Sequence, residues 1–239
     1  MPGYSVIVFL HAAIGTIALL AFWSAALMKK GSPRHRMVGK VFLLAMAGIV
    51  ISGVPLVIER LLFRHQPIGA LFLAYLLPLT AQACWMAWRA IADKRDWQAM
   101  TRRIGWKISL WLPALMGALT VAVGVWKGQP LLIGFGMIGP LTSRGMWRFA
   151  RRGPQHANWH VVMHYQAMLG AGIATHVTFL GIGMQPVWKW LLAHTAVPEQ
   201  FVFLFPWFAP LAVAMAAGVW LNRKWARPLR VAAHAAVES

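Results

Sequence analysis

Long apolar runs alternate with short polar connections along almost the whole chain. A helix crosses a bilayer with about 20 apolar residues, since each residue rises about 1.5 Å through roughly 30 Å of hydrocarbon. The pattern therefore predicts an all-α fold, a polytopic transmembrane helical bundle that forms one domain over residues 1–239. Its seven predicted spans are Tyr4–Met28, Val41–Ile58, Ile68–Ile91, Ile104–Trp126, Pro130–Met146, Trp159–Met184 and Phe201–Leu221.

The positions of the basic residues predict an orientation for these spans. Of the 23 Lys and Arg, 19 lie in alternate connections, namely 29–40, 89–107, 144–152 and 223–230. Cytoplasmic loops retain Lys and Arg, so the N-terminus is predicted outside and the C-terminus in the cytoplasm. The first span has no basic region before it and ends at Lys29-Lys30, which predicts a retained helix rather than a cleaved signal peptide.

Composition and charge agree with this interpretation. The chain is 59% hydrophobic and only 12% charged, whereas soluble domains are about 25% charged. The net charge of +18 follows from the loops on one membrane face, so nucleic acid is not expected as a partner. The predicted partners are the lipid bilayer, anionic lipids on the cytoplasmic face and, if the chain belongs to a membrane complex, other subunits.

Several classes of site are excluded by residues that the sequence lacks. The seventh span contains no Lys for a retinal Schiff base, and neither an HExxH nor a GxSxG motif occurs. The five acidic residues all lie away from the centres of the spans, which argues against di-iron carboxylate sites and against transporters with a mid-membrane Asp or Glu. A single cysteine, Cys84, excludes an internal disulfide and CxxC chemistry.

Histidines inside the spans carry the remaining candidate chemistry. His11 in the first span and His176 in the sixth are each predicted about 8 Å to the outer side of the membrane centre. Each has a glycine one turn deeper, Gly15 and Gly172, which would let a flat ligand or a second helix approach. Three interpretations stay open: helix packing, ligation of a haem b or a metal ion, and binding of a quinone or another ligand.

A second group of histidines predicts a stripe down the sixth span. His156, His160 and His164 follow one another at intervals of four residues, close to one face of a helix. The stripe is compatible with a second metal or haem site or with a proton path from the cytoplasm, and His156 is also compatible with a plain surface residue. Arg144, near the inner end of the fifth span, either snorkels to the interface or pairs with a propionate or phosphate.

Two motifs resemble a family of multi-pass bacterial inner-membrane proteins that is known only as a domain of unknown function. The first combines the early His11 with the loop from Lys30-Gly31 through His35-Arg36 to Gly39-Lys40. The second is the segment from His160 to Met168 with the small-residue run that follows it. The resemblance implies a helical bundle in a bacterial inner membrane and no particular activity. It would make His11, His35, Arg36, His160 and His164 the positions to test.

The sequence thus favours an integral inner-membrane protein with a histidine-lined site that binds haem b or a metal for electron transfer. In this interpretation His11 and His176 are the axial or metal ligands, and His160 and His164 line an inner path. The alternative is a protein without enzymatic activity, either a small-molecule transporter or an accessory subunit of a membrane complex.

Overall fold

The computed structural model describes residues 2–226, and every regular element in that part of the chain is a helix. In chain order the helices are α1 (Pro2–Leu27), α2 (Pro33–Leu62), α3 (Pro67–Ala92), α4 (Trp97–Arg102), α5 (Ile104–Trp126), α6 (Pro130–Gly136), α7 (Ile138–Arg152), α8 (Trp159–Thr178), α9 (Gln185–His194) and α10 (Glu199–Trp225). A π-helical turn, Phe179–Gly183, continues α8. The predicted all-α class is confirmed.

The lengths and apolar character of the helices support a membrane protein. Five of the described helices (α1, α2, α3, α5 and α10) are long and apolar enough to cross a bilayer. The pair formed by α8 with its π-turn and α9, bent by 54°, would make a sixth span. Large apolar side chains point outward, such as Leu44 at 73% and Ile51 at 72% exposed, which suits a lipid environment. The count of seven and the orientation of the termini stay predictions, and Arg227 and Arg230 of the basic tail lie outside the described residues.

We call the end of the bundle formed by connections 28–32, 93–103 and 153–158 the inner end. There, the residues of the turn between α1 and α2 determine where α2 begins. The Ser32 side chain accepts a hydrogen bond from the His35 backbone N–H at 3.2 Å, and Pro33 supplies the first residue of α2. Gly31 before them has φ = 76°, a left-handed conformation that glycine adopts without strain. The α1–α2 hairpin is therefore closed by a turn with a glycine, a serine cap and a proline at the start of α2.

The core has two parts. Helices α1, α2 and α8 meet around small and aromatic side chains, and the buried members are Ala18, Ala21, Phe42, Met46 and Ala171. Toward the inner end a second cluster joins α3, α4, α5, α7 and α8, and its buried members are Met86, Ala90, Met100, Trp106, Met146 and Trp159. Helix α3 packs against α2, α5 and α8, so it is the central helix of the bundle.

The predicted fifth span is not one helix, because Tyr75 breaks it. The buried Tyr75 hydroxyl donates to the Phe135 carbonyl at 3.0 Å and accepts from the Gly139 N–H at 2.8 Å. In an unbroken helix those two backbone groups would bond to each other, so the inserted hydroxyl separates α6 from α7. Gly139 also lies against α5, where a Cβ would stand 2.1 Å from the Pro113 carbonyl oxygen. Small residues thus let the backbones of α5 and α6–α7 touch.

Candidate functional site

His11 is held in the outer half of the bundle by a hydrogen bond to α2. Its Nδ1 lies 2.8 Å from the Ser52 hydroxyl, and that hydroxyl donates to the Gly48 carbonyl at 2.6 Å. Since the single hydroxyl proton is used by Gly48, the imidazole donates to Ser52. The neighbouring Gly15 has open space where a Cβ would stand. His11 is therefore a half-buried, singly bonded imidazole between α1 and α2.

His176 has partners on both ring nitrogens. Its Nδ1 lies 2.7 Å from the Gly172 carbonyl oxygen, and its Nε2 accepts a hydrogen bond from the Trp23 indole N–H at 2.9 Å. The Phe22 ring fills the space beside Gly172, where a Cβ would stand 2.6 Å from it. Gly172 thus lies at a contact between α8 and a side chain of α1, which agrees with the helix-packing interpretation.

The structure does not bring His11 and His176 together. Trp23, the partner of His176, lies 12 residues after His11 on α1, which is about 18 Å along the helix. Helix α8 meets the inner half of α1, whereas His11 lies in its outer half. The two residues hence belong to separate hydrogen-bonded pairs, His11–Ser52 and His176–Trp23.

A second pair of histidines lies toward the inner end. His35 in the first turn of α2 places its Nδ1 3.0 Å from the Ala25 carbonyl oxygen, and His164 in α8 places its Nδ1 2.8 Å from the Ala87 carbonyl oxygen. His164 is close enough to His35 for an electrostatic interaction. A carbonyl oxygen only accepts, so Nδ1 carries the proton in both rings and each neutral ring keeps a lone pair on Nε2.

Lys30 adds a positive charge to this inner pair. Its ammonium group donates to the Ala25 carbonyl at 2.9 Å and to the Ala26 carbonyl, at the end of α1. Lys30 also interacts electrostatically with His164. Partial burial lowers the pKa of Lys30 from its usual 10.5, because the charged form loses hydration. We name Lys30, His35 and His164 the inner histidine site.

The predicted histidine stripe is divided among three environments. His164 belongs to the inner histidine site, while His160 contacts the Trp159 ring and interacts electrostatically with Lys94. His156 precedes the start of α8, and its buried Nδ1 has no hydrogen-bond partner among the described residues. The four-residue spacing therefore does not give one functional face.

A groove lies between α3, α7 and α8. It has a volume of about 480 Å³ and is lined mainly by apolar side chains, with His156 at its inner end. Midway along it, the Gln82 amide donates to the Ser109 carbonyl at 2.6 Å and accepts from the Thr142 hydroxyl at 3.2 Å. We call this feature the α3–α7–α8 groove.

The arginines of α7 stand near the inner end of this helix. Arg144 and Arg148 are exposed, as expected for side chains that reach the interface. Arg151 lies over the Trp147 ring at 4.6 Å. At the end of α3, Asp93 accepts hydrogen bonds from Arg89, so the acidic group there is already paired with a basic one.

Comparison with known proteins gives no further assignment. No protein-family model, no curated protein and no solved structure matches the chain. The resemblance to a bacterial inner-membrane family stays a prediction. The sequence singles out His35 only through that resemblance, since its position at a helix start gives no other signal.

Proposed function

We propose that the chain is a multi-pass protein of a bacterial inner membrane that binds haem b at the inner histidine site and transfers electrons. The proposal includes a topology of seven spans, with the N-terminus outside and the C-terminus in the cytoplasm. The alternation of basic connections supports the orientation. The five long apolar helices and the bent α8–α9 pair support membrane insertion.

One observation carries the cofactor assignment: two imidazoles from different helices have Nδ1 fixed on backbone carbonyls. His35 uses the Ala25 carbonyl and His164 the Ala87 carbonyl. Metal-ligating histidines typically donate one ring N–H to such a partner, which fixes the tautomer and leaves the other nitrogen for the metal. We favour this pair over His11 and His176 because the Nε2 of His176 already accepts from Trp23.

The donor set suits haem better than a bare metal ion. No group of three or more His, Cys, Asp or Glu suited to a metal occurs within residues 2–226. A structural zinc site needs four protein ligands, whereas haem iron requires at most two, since the porphyrin supplies the others. One turn after His35 on α2, Gly39 has no atom within 4 Å of a would-be Cβ, so the space beside this part of the helix is open.

Each residue of the inner histidine site would have its own role in binding haem. His35 and His164 would hold the haem iron, and the Ala25 and Ala87 carbonyls would keep their rings in orientation. Lys30 would attract a propionate of the cofactor, because it is a cation at the same end of the bundle. Haem bound in this way would supply reversible one-electron transfer.

The test is the visible spectrum of the purified full chain, produced with a haem supply, before and after dithionite reduction. A Soret band with α and β bands that sharpen on reduction is expected. His35→Ala and His164→Ala should each remove these bands, and His194→Ala is the matched control because His194 is exposed on α9. A colourless wild type, or bands lost only in the His11→Ala or His176→Ala variant, would contradict the assignment.

A small-molecule transporter is a second candidate, favoured by the break between α6 and α7. Transporters often place a discontinuous helix at the substrate site, and here the Tyr75 hydroxyl holds the two pieces apart. To test this, Cys84 is replaced and Gly145→Cys is introduced, and the protein is treated with a membrane-impermeant thiol reagent from each membrane face in turn. A colourless protein that is labelled from both faces would support a transporter. Labelling from one face alone would oppose it.

A further inference from the structure

The α3–α7–α8 groove lies along the bundle and ends at a basic surface. Its α8 wall runs from Trp159 to Val177, which is about 27 Å of helix. This length is close to the roughly 30 Å of a bilayer's hydrocarbon core. The apolar lining is therefore about as long as the hydrocarbon core is thick, and His156 lies at the inner end of the groove.

The size and lining of the groove suit a chain-like occupant. The groove holds about 480 Å³, which is within the ordinary range of ligand pockets, and its lining is mainly apolar. Two glycines on opposite walls, Gly145 and Gly170, line it, and a Cβ at either would meet no atom closer than 3.9 Å.

The inner end of the groove offers positive charge and an unused ring nitrogen. Arg148 and Arg152 follow the lining residues Gly145 and Phe149 by three positions, which places them beside the groove on the surface of α7. The buried Nδ1 of His156 has no partner among the described residues. The segment from Gly145 to Trp159 carries no carboxylate that would compete for these groups.

We infer that the α3–α7–α8 groove binds one anionic phospholipid, with an acyl chain along the apolar lining and the phosphate at His156 and Arg152. An apolar groove of this volume with basic side chains beside its inner end is complementary to such an amphiphile. The inference is independent of the haem proposal, since it uses none of the residues of the inner histidine site.

Binding of the acyl chain is tested by placing larger side chains in the groove. The full chain is reconstituted in vesicles with equal amounts of phosphatidylglycerol and phosphatidylcholine, re-extracted in mild detergent, and analysed for retained lipid by native mass spectrometry. Gly145→Leu and Gly170→Leu should lose most of the retained phosphatidylglycerol. Gly134→Leu is the matched control, because Gly134 is exposed, has the same free space and does not line the groove.

Recognition of the phosphate headgroup is tested in the same experiment by replacing the basic residues at the inner end of the groove. His156→Ala and Arg152→Gln should each lower the ratio of retained phosphatidylglycerol to phosphatidylcholine, by about fivefold for the arginine. Arg151→Gln is the control, since Arg151 lies over Trp147. Equal retention of both lipids by the wild type, an uncharged isoprenoid quinone as the retained molecule, or unchanged retention in a folded Gly145→Leu variant would each overturn the inference.

Discussion

Replacing Tyr75 with Phe removes one oxygen atom from the most buried polar contact between α3 and the α6–α7 pair. The ring of Tyr75 is 0% exposed, and Phe keeps the same ring in the same place. The hydroxyl donates to the Phe135 carbonyl and accepts from the Gly139 N–H. The substitution therefore deletes two hydrogen bonds without creating a large cavity.

The expected cost follows from these two bonds. Hydrogen bonds between membrane helices are worth about 0.6 kcal/mol on average and up to about 1.7 kcal/mol each. Tyr75→Phe should therefore lower the free energy of unfolding by about 1–3 kcal/mol. The lower end applies if the Phe135 carbonyl and the Gly139 N–H, once released, bond to each other and close the break between α6 and α7.

The free energy of unfolding is measured by titrating mixed micelles with dodecyl sulfate and following helix content. Tyr165→Phe is the matched control, because the Tyr165 hydroxyl makes one bond, to the Asn222 side chain at 2.6 Å, and should cost about half as much. An unchanged free energy for Tyr75→Phe, or a larger loss for Tyr165→Phe, would refute the role assigned to the Tyr75 hydroxyl.

Three further predictions concern packing, charge and topology. In the same titration, Gly139→Ala should lower the free energy of unfolding far more than Gly134→Ala. The new Cβ at position 139 would overlap the Pro113 carbonyl, whereas position 134 has free space. Equal losses in the two variants would contradict this. Because the pKa of Lys30 is lowered in the folded state, this state loses the Lys30 proton at a lower pH than the unfolded state does. The free energy of unfolding of the wild type, relative to that of Lys30→Gln, should therefore rise with pH up to about 10.5 and then level off. A difference between the two proteins that does not change with pH would oppose this. Reporter fusions after residues 95 and 153 should be cytoplasmic and one after residue 128 periplasmic, and the reverse pattern would refute the orientation.

Most helix bounds were predictable because apolar runs end at charged or proline-containing turns. The predicted span Ile68–Ile91 corresponds to α3 and Ile104–Trp126 to α5. Helix α2, Pro33–Leu62, is longer at both ends than the predicted Val41–Ile58, since charged residues also form helix beyond the hydrocarbon. The break of the fifth predicted span was not predictable, because Tyr75 lies 60 residues before Phe135 and only packing brings them together.

Candidate residues could be chosen from the sequence by type, but their partners could not. The sequence selects histidines within apolar spans as candidates, and His164 is one of them. Matching His11 with His176 by depth assumes that α1 and α8 lie level with each other, whereas His176 meets Trp23 in the inner half of α1. His35 and His164 are 129 residues apart in the chain, and both lie toward the inner end of the bundle because the α1–α2 hairpin packs beside α8.

The measurement that tests the central claim most directly is the haem content of the purified chain, combined with the reduced-minus-oxidised spectrum of the His35→Ala and His164→Ala variants. We expect one haem b per chain in the wild type, with the α band lost in either variant and kept in His194→Ala. A wild type without haem after growth with a haem supply, or an α band that survives both substitutions, would contradict the assignment of the inner histidine site.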